Sequence, residues 1–283
     1  LTYSFIPQPH ALHFAAAETL LELDNPLDAS TMTTMRPSLL PGLLAACAAN
    51  MHNNRPAERL AEVGTIFSKT AEGSHEQPQA AAVLANVGNR HWQGMEKVDA
   101  FTAKAMTLQV LESMGVALTG LTVKAPASAT FHPGQSGQIV QGMTVLAEFG
   151  MVHPSTLKLF DLKVPAAALT VDIAAVHGLK LRDKPFTVST YQPVARDLAF
   201  VLPEHILAQD VVKTILNATK PLAKAAEVFD VYQGKGIPEG KKSLAIALTL
   251  QADDRTLADA DITDAMDKAI AAVAKYYGGE LRA

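Results

Sequence analysis

A histidine, a serine and a glycine-rich turn meet in His132-Pro-Gly-Gln-Ser-Gly137, the kind of run a nucleophilic hydrolase uses. A nucleophile elbow needs G-x-S-x-G, and here the second glycine arrives one residue early. Ser136 is therefore not offered in the strained geometry that acyl transfer requires, and the run reads as a proline–glycine turn between strands. A second run, Gly234-Lys-Gly-Ile-Pro-Glu-Gly-Lys-Lys-Ser243, imitates a phosphate loop. G-x-x-x-x-G-K-[ST] would need glycine in place of Lys235 and Ser or Thr in place of Lys242, and Pro238 removes an amide donor. The segment also joins two strands, whereas a phosphate loop leads into a helix. Lys235, Lys241 and Lys242 remain able to touch phosphate oxygens singly.

Tyr232 stands at a strand end, two residues after Asp230 and two before Gly234. On spacing alone the ring either covers a hairpin edge or lies exposed as a surface on which a nucleobase stacks. In the second case Asp230 accepts hydrogen bonds from a base edge. The nine histidines, among them His10, His13, His75, His91, His132 and His153, show no H-x-x-x-H or H-E-x-x-H spacing. No metal site is expected. Cys47 is the only cysteine, so neither an intrachain disulfide nor a cysteine zinc cage can form. It lies in an apolar run and reads as a buried, inert thiol.

These residues need elements to position them. Pro41 opens a helix after the capping candidate Ser38, with Leu40, Leu43, Leu44, Cys47 and Met51 on one face, and Pro56 follows it. Residues 59–67 and 80–87 read as strands. Asp99 can cap a helix carrying Phe101, Ala105, Leu108 and Met114, ending near Gly115. Strand-like stretches surround residues 138–149. The later part reads strand, helix, strand, strand, helix, strand: residues 196–202, a helix over 209–219, two strands around the glycine–lysine loop, a helix over 262–276, and a final strand at 280–282. In the strand after the loop, Ala245, Ala247 and Thr249 share one face, which leaves that face open to a ligand. The expected class is α+β, a mixed antiparallel sheet domain over 1–185 followed by a ferredoxin-like domain over 186–283, joined near Arg182-Asp-Lys-Pro-Phe186.

With 48% hydrophobic and 18% charged residues, the 283-residue chain describes an ordered globular protein. The net charge is −4, and from Phe186 onward 11 Lys and Arg face 13 Asp and Glu. Bulk electrostatics announce no polyanion binder, so such a partner must meet a local patch. No run of about 18 apolar residues suggests a membrane span. The opening Leu1-Thr-Tyr-Ser-Phe carries no methionine or charged leader and reads as a piece of a longer, cytoplasmic protein.

Matches in order along the chain give a resemblance. Leu23-Asp-Asn-Pro-Leu27, Met35-Arg-Pro-Ser-Leu-Leu-Pro-Gly-Leu-Leu44, Arg59-Leu-Ala-Glu-Val-Gly64 and Phe131-His-Pro-Gly134 resemble the β subunit of bacterial phenylalanyl-tRNA synthetase. So do Phe149-Gly-Met-Val-His-Pro154, Gln192-Pro-Val-Ala-Arg-Asp-Leu-Ala-Phe200, Asp230-Val-Tyr-Gln-Gly234, Gly240-Lys-Lys-Ser243 and Arg255-Thr-Leu257. The resemblance implies the C-terminal portion of that subunit. Its first part would be a class II synthetase-like domain without an active site, and its second a ferredoxin-fold anticodon-binding domain. It implies a base-stacking role for Tyr232, base-edge contacts at Asp230 and Ser243, and a terminal arginine contact at Arg282. It implies a catalytic α subunit in an α2β2 assembly, tRNA(Phe) as substrate, and ATP and Mg2+ used by the holoenzyme but not bound by this portion. Editing residues and magnesium-binding carboxylates would lie outside the chain. No F-R-x-E motif is present, and neither Arg36 nor Arg59 has the partners to clamp phosphates. Gln135 and Gly137 depart from the family's arginine-serine-alanine sequence after His-Pro-Gly. The rival reading is a ferredoxin-like module that senses an amino acid.

Overall fold

The computed structural model describes residues 2–53, 59–85, 92, 97–179 and 189–282. The expected join near 182–186 falls outside the described residues, as do His91, Pro56 and the end of the strand expected over 80–87. The chain divides into two compact units, residues 1–182 and 183–283.

The first unit opens with β1 (Phe5–Ile6), α1 (Gln8–Leu12) and β2 (Thr34–Met35), β1 pairing with β2. Helix α2 (Leu40–His52) follows, with Pro41 in its first turn, where a missing amide leaves no bond unmade. The Leu40 amide donates to Ser38 Oγ at 3.2 Å and the Leu39 amide to Gln79 Oε1 at 3.0 Å. The six-stranded sheet comprises β3 (Arg59–Thr70), β4 (Gly73–Ala85), β5 (Thr122–Lys124), β6 (Phe131–Gln141), β7 (Thr144–Val152) and β8 (Ala166–Asp172). Its order is β3-β4-β8-β7-β6-β5, antiparallel throughout. Helix α3 (Ala100–Ser113) packs on β7 and β8, the short helix α4 (Pro154–Leu159) links β7 to β8, and α5 (Ile173–His177) follows β8 and packs on β4 and β7. Leu40, Leu43, Leu44 and Cys47 of α2 bury against Ala81, Val83 and Ala85 of β4. Each such leucine contributes about 1.5–3 kcal/mol.

Three local expectations change. Strand β4 begins at Gly73, seven residues before the expected start at Ala80; the added part pairs with β3 but is largely exposed and shows no apolar alternation, so the sequence did not reveal it. Asp99 caps α3 as expected, its carboxylate accepting from the Thr102 amide at 2.7 Å. The helix, however, buries Ala103, Thr107 and Leu111, and leaves Phe101 77% exposed. Thr107 can lie inside because its hydroxyl donates to the Ala103 carbonyl at 2.7 Å, so no polar group is stranded. Third, His132-Pro-Gly134 is not a turn between strands. It lies within β6, where pairing slips between Phe131↔Val152 and Ser136↔Gly150.

The second unit holds β9 (Val194–Pro203), α6 (Ala208–Ala218), β10 (Ala223–Tyr232), β11 (Lys241–Leu250), α7 (Asp259–Tyr277) and β12 (Glu280–Leu281). The sheet order β10-β11-β9-β12, all antiparallel, is the ferredoxin-like arrangement expected from the element order. Leu198, Phe200, Leu202, Leu244, Ile246, Leu248 and Leu250 are buried beneath Val211 and Ile215 of α6 and Ile262, Ala265, Ala269 and Val273 of α7. The residues between them, Ala245, Ala247 and Thr249, stay half-buried on the face that carries no helix. Helix α7 starts where Asp261 Oδ2 accepts the Ala258 amide at 3.1 Å. It stops at Gly278, which adopts φ 61°, a left-handed value that costs glycine nothing.

Candidate nucleic-acid interface

The helix-free face of the second sheet brings together residues from three of its strands and the end of β12. Tyr232 pairs with Ser243, Ser243 with Val201, and Val201 with Glu280, so these side chains lie on one face. Asp230 pairs with Ala245 and shares that face. A β-bulge decides this. Val228 pairs with Ile246 on the helix side, and regular alternation from there would turn Asp230 and Tyr232 inward too. Phe229 is the extra residue, and the slip it introduces puts Asp230 and Tyr232 on the open side. Nothing in Val228-Phe-Asp-Val-Tyr232 announces the bulge, since either phase alternates plausibly.

Tyr232 is 38% exposed, and its hydroxyl donates to the Lys235 carbonyl at 3.2 Å. Arg282 is anchored through its amide, which donates to the Ala199 carbonyl at 2.8 Å. Its guanidinium carbon lies 5.7 Å from the Tyr232 ring centroid, within cation–π range. The same guanidinium donates through Nη1 to Ser243 Oγ at 3.4 Å. Ser243 is only 4% exposed, so in this arrangement its hydroxyl serves Arg282. Tyr232, Ser243 and Arg282 thus form one cluster, with Asp230 exposed beside it on the same face. The lysines do not join the cluster as a group. Lys241 Nζ is 4.0 Å from Glu280 Oε1, Lys242 Nζ donates to the Glu204 carbonyl at 2.8 Å, and Lys235 is exposed in the loop. The part played by the Lys235 carbonyl was invisible in the sequence, because a backbone acceptor has no residue-type signal.

The other candidate residues have partners of a different kind. Ser136 Oγ accepts the Ala127 amide at 3.2 Å, while His132 Nδ1 accepts the Gly134 amide at 3.1 Å. Ser136 thus holds the preceding loop and His132 its own strand. Arg36 is buried, with Nη1 2.8 Å from Glu62 Oε1 and Nε donating to the Thr65 carbonyl at 2.9 Å. A Cβ on Gly64 would lie 2.6 Å from Arg36 Nη2, so glycine there makes room for the guanidinium. Arg36 is therefore not available to the phosphates of ATP, and this unit does not fit that nucleotide through it. Cys47 is fully buried, and burial pushes its thiol up, away from reactivity at neutral pH. Among the described residues no grouping of three His, Cys, Asp or Glu could hold a metal ion, and no helix is long and apolar enough to cross a membrane.

Residues 1–173 match the model of the phenylalanyl-tRNA synthetase beta chain CLM domain. The chain belongs to the phenylalanyl-tRNA synthetase β-chain family. Residues 189–282 match the ferredoxin-fold anticodon-binding domain, and that span contains Asp230, Tyr232, Ser243 and Arg282. Curated relatives agree. The phenylalanine–tRNA ligase β subunits of Rhodospirillum rubrum, Novosphingobium aromaticivorans and Rhodopseudomonas palustris are 39%, 38% and 39% identical over the whole of this chain. The chain spans 36% of the length of each. A solved pyrrolysyl-tRNA synthetase from Desulfitobacterium hafniense superposes with a TM-score of 0.44 at 17% identity, covering 62% of this chain and 60% of its own, too loosely to decide a fold. For a member of this β-chain family, the mixed α+β architecture and the ferredoxin-like second unit are the expected layout.

Proposed function

We propose that this chain works as the C-terminal part of a phenylalanine–tRNA ligase β subunit, holding the tRNA(Phe) anticodon on the open sheet face of its second unit. The observation that carries the reading is the cluster on that face, where Tyr232 lies exposed with Arg282 and Ser243 beside it, inside a span matching an anticodon-binding model. Tyr232 offers its ring to one anticodon base, and Asp230 accepts hydrogen bonds from that base's edge. Arg282 brings the fixed fork of a guanidinium to base or phosphate, and Ser243 holds that fork in place. Lys235 touches a phosphate at the rim, whereas Lys242, paired with Leu202, lies toward the helix side and Lys241 faces Glu280.

The chemistry belongs to a partner α subunit in an α2β2 assembly. There phenylalanine is activated with ATP and Mg2+ and passed to the tRNA. This chain contributes to that reaction by position. Binding energy gathered at the anticodon orients the distant acceptor end, so its loss appears in the tRNA-dependent step and not in amino-acid activation.

The test is Tyr232→Ala in the full-length β chain assembled with α. A stacked base is worth about 1–3 kcal/mol, so the dissociation constant for tRNA(Phe) should rise roughly 5- to 150-fold. ATP–pyrophosphate exchange should be unchanged. An unaltered tRNA affinity would sink the reading.

A further inference from the structure

The Tyr232 ring is held from its hydroxyl end by the turn that follows it. The hydroxyl donates to the Lys235 carbonyl at 3.2 Å, and the intervening Gly234 lies directly against the ring. A Cβ built on Gly234 would sit 3.0 Å from Tyr232 Oη, 3.3 Å from Cζ and 3.7 Å from Cε2. Gly234 also adopts φ +148°, where residues with side chains are strained. The other glycines of this loop differ. Gly236 (φ +91°) and Gly240 (φ +73°) have nothing within 4 Å of an added Cβ, so they serve the turn and not the ring.

We propose that Gly234 is a positioning residue for base recognition, setting the angle at which Tyr232 presents its ring. This rests on the reading of Tyr232 as the stacking surface. Stacking needs the ring plane fixed before the base arrives, because a ring that must be ordered on binding charges its rotamer entropy against affinity. The bond to the Lys235 carbonyl fixes it from the turn, and the bare Gly234 leaves the room that the ring occupies. The Arg282 guanidinium, itself held on Ser243, stands 5.7 Å from the ring centroid. A methyl group at Gly234 would crowd the hydroxyl end of the ring at 3.0 Å, tighter than ordinary contact, so the ring must give by a few tenths of an ångström and its bond to the Lys235 carbonyl is strained.

The experiment is a double-mutant cycle in the full-length β chain assembled with α. It uses Gly234→Ala, Tyr232→Ala, the double variant, and Gly236→Ala as a control that strains the same loop without meeting the ring. Gly234→Ala should raise the dissociation constant and KM for tRNA(Phe) about ten-fold while leaving ATP–pyrophosphate exchange unchanged. In the Tyr232→Ala background it should add nothing, and Gly236→Ala should stay within about two-fold of the parent. Tyr232→Phe, which keeps the fold and removes the hydroxyl, should weaken binding about three-fold, and it tests the tether even if Gly234→Ala fails to fold. The inference is overturned if Gly234→Ala binds like the parent, if its loss is the same without the tyrosine, if Gly236→Ala costs as much, or if Tyr232→Phe binds as tightly as the parent. A Tyr232→Ala variant with full affinity would instead remove the stacking reading on which the inference stands.

Discussion

Arg36 and Glu62 show how a residue flagged for chemistry can be spent on structure. Their side chains are 7% and 2% exposed, and the carboxylate also accepts from the Thr2 hydroxyl at 2.7 Å and the Thr2 amide at 3.1 Å. Burial would raise the Glu62 pKa, yet hydrogen bonds from Thr2 and Arg36 and the arginine's charge outweigh it and hold the carboxyl below its ordinary value. Its folded pKa thus lies below the unfolded value of about 4.3. The stabilisation is complete above that unfolded value and is lost as pH falls through the folded one, so the pair should fail only in acid. Glu62→Gln leaves the guanidinium buried without a counter-charge and should cost about 3–5 kcal/mol in denaturant unfolding. It should also flatten the acid dependence below about pH 4. A variant as stable as the parent would show that solvent reaches the pair. The sequence read Arg36 as lacking the partners to clamp phosphates, and the structure ties it to Glu62 and the Thr65 carbonyl. The sequence could not show Glu62 as the partner, because the two meet across strands.

Among the elements, β6 and β7 are locked by one close approach. Gly150 adopts φ +151°, and a Cβ there would meet the Ser136 side chain and lie 2.5 Å from the Gln135 carbonyl oxygen. That contact sits beside the slip in β6 pairing, so glycine is what lets the irregular strand lie flat on its neighbour. Gly150→Ala should cost about 1–3 kcal/mol, read as a lowered melting temperature. An unchanged melting curve would mean that the slip is held elsewhere. This bulge and the one at Phe229 mark the limit of reading strands by alternation. Leu244, Ile246, Leu248 and Leu250 alternate cleanly and are all buried, so the inward face of β11 was legible in the sequence. In β10 the side-chain types alternate through the bulge, and the phase that puts Tyr232 outward exists only in the pairing. Helix α3 forms after Asp99 as expected, but its inward face was not legible, because small Ala103 and self-satisfied Thr107 face the sheet while Phe101 does not.

For the whole molecule, charge sets how the proposed RNA partner would be met. The chain carries −4, and Asp230 and Glu280 lie on the proposed binding face with Tyr232. Affinity there must come from stacking and hydrogen bonds more than from counterion release. Lys241 and Lys242 already have partners, whereas Lys235 is exposed in the loop beside the ring. Lys235→Gln should therefore reduce the slope of log affinity against log salt by about 0.7–1, with little change in preference between tRNAs. A slope equal to that of the parent would take Lys235 out of the phosphate path. The pairing of β12 with β9 adds a matter of timing. Leu281 meets Phe200 across nearly the whole length of the unit, while β10 and β11 close through one short loop. Such distant pairings are slow to form, since the chain between them must first be ordered. A chain caught midway could bury Phe200 and Ile246 and still have no Arg282 beside Tyr232. On the proposed reading, the cluster beside Tyr232 is complete only once β12 has paired with β9.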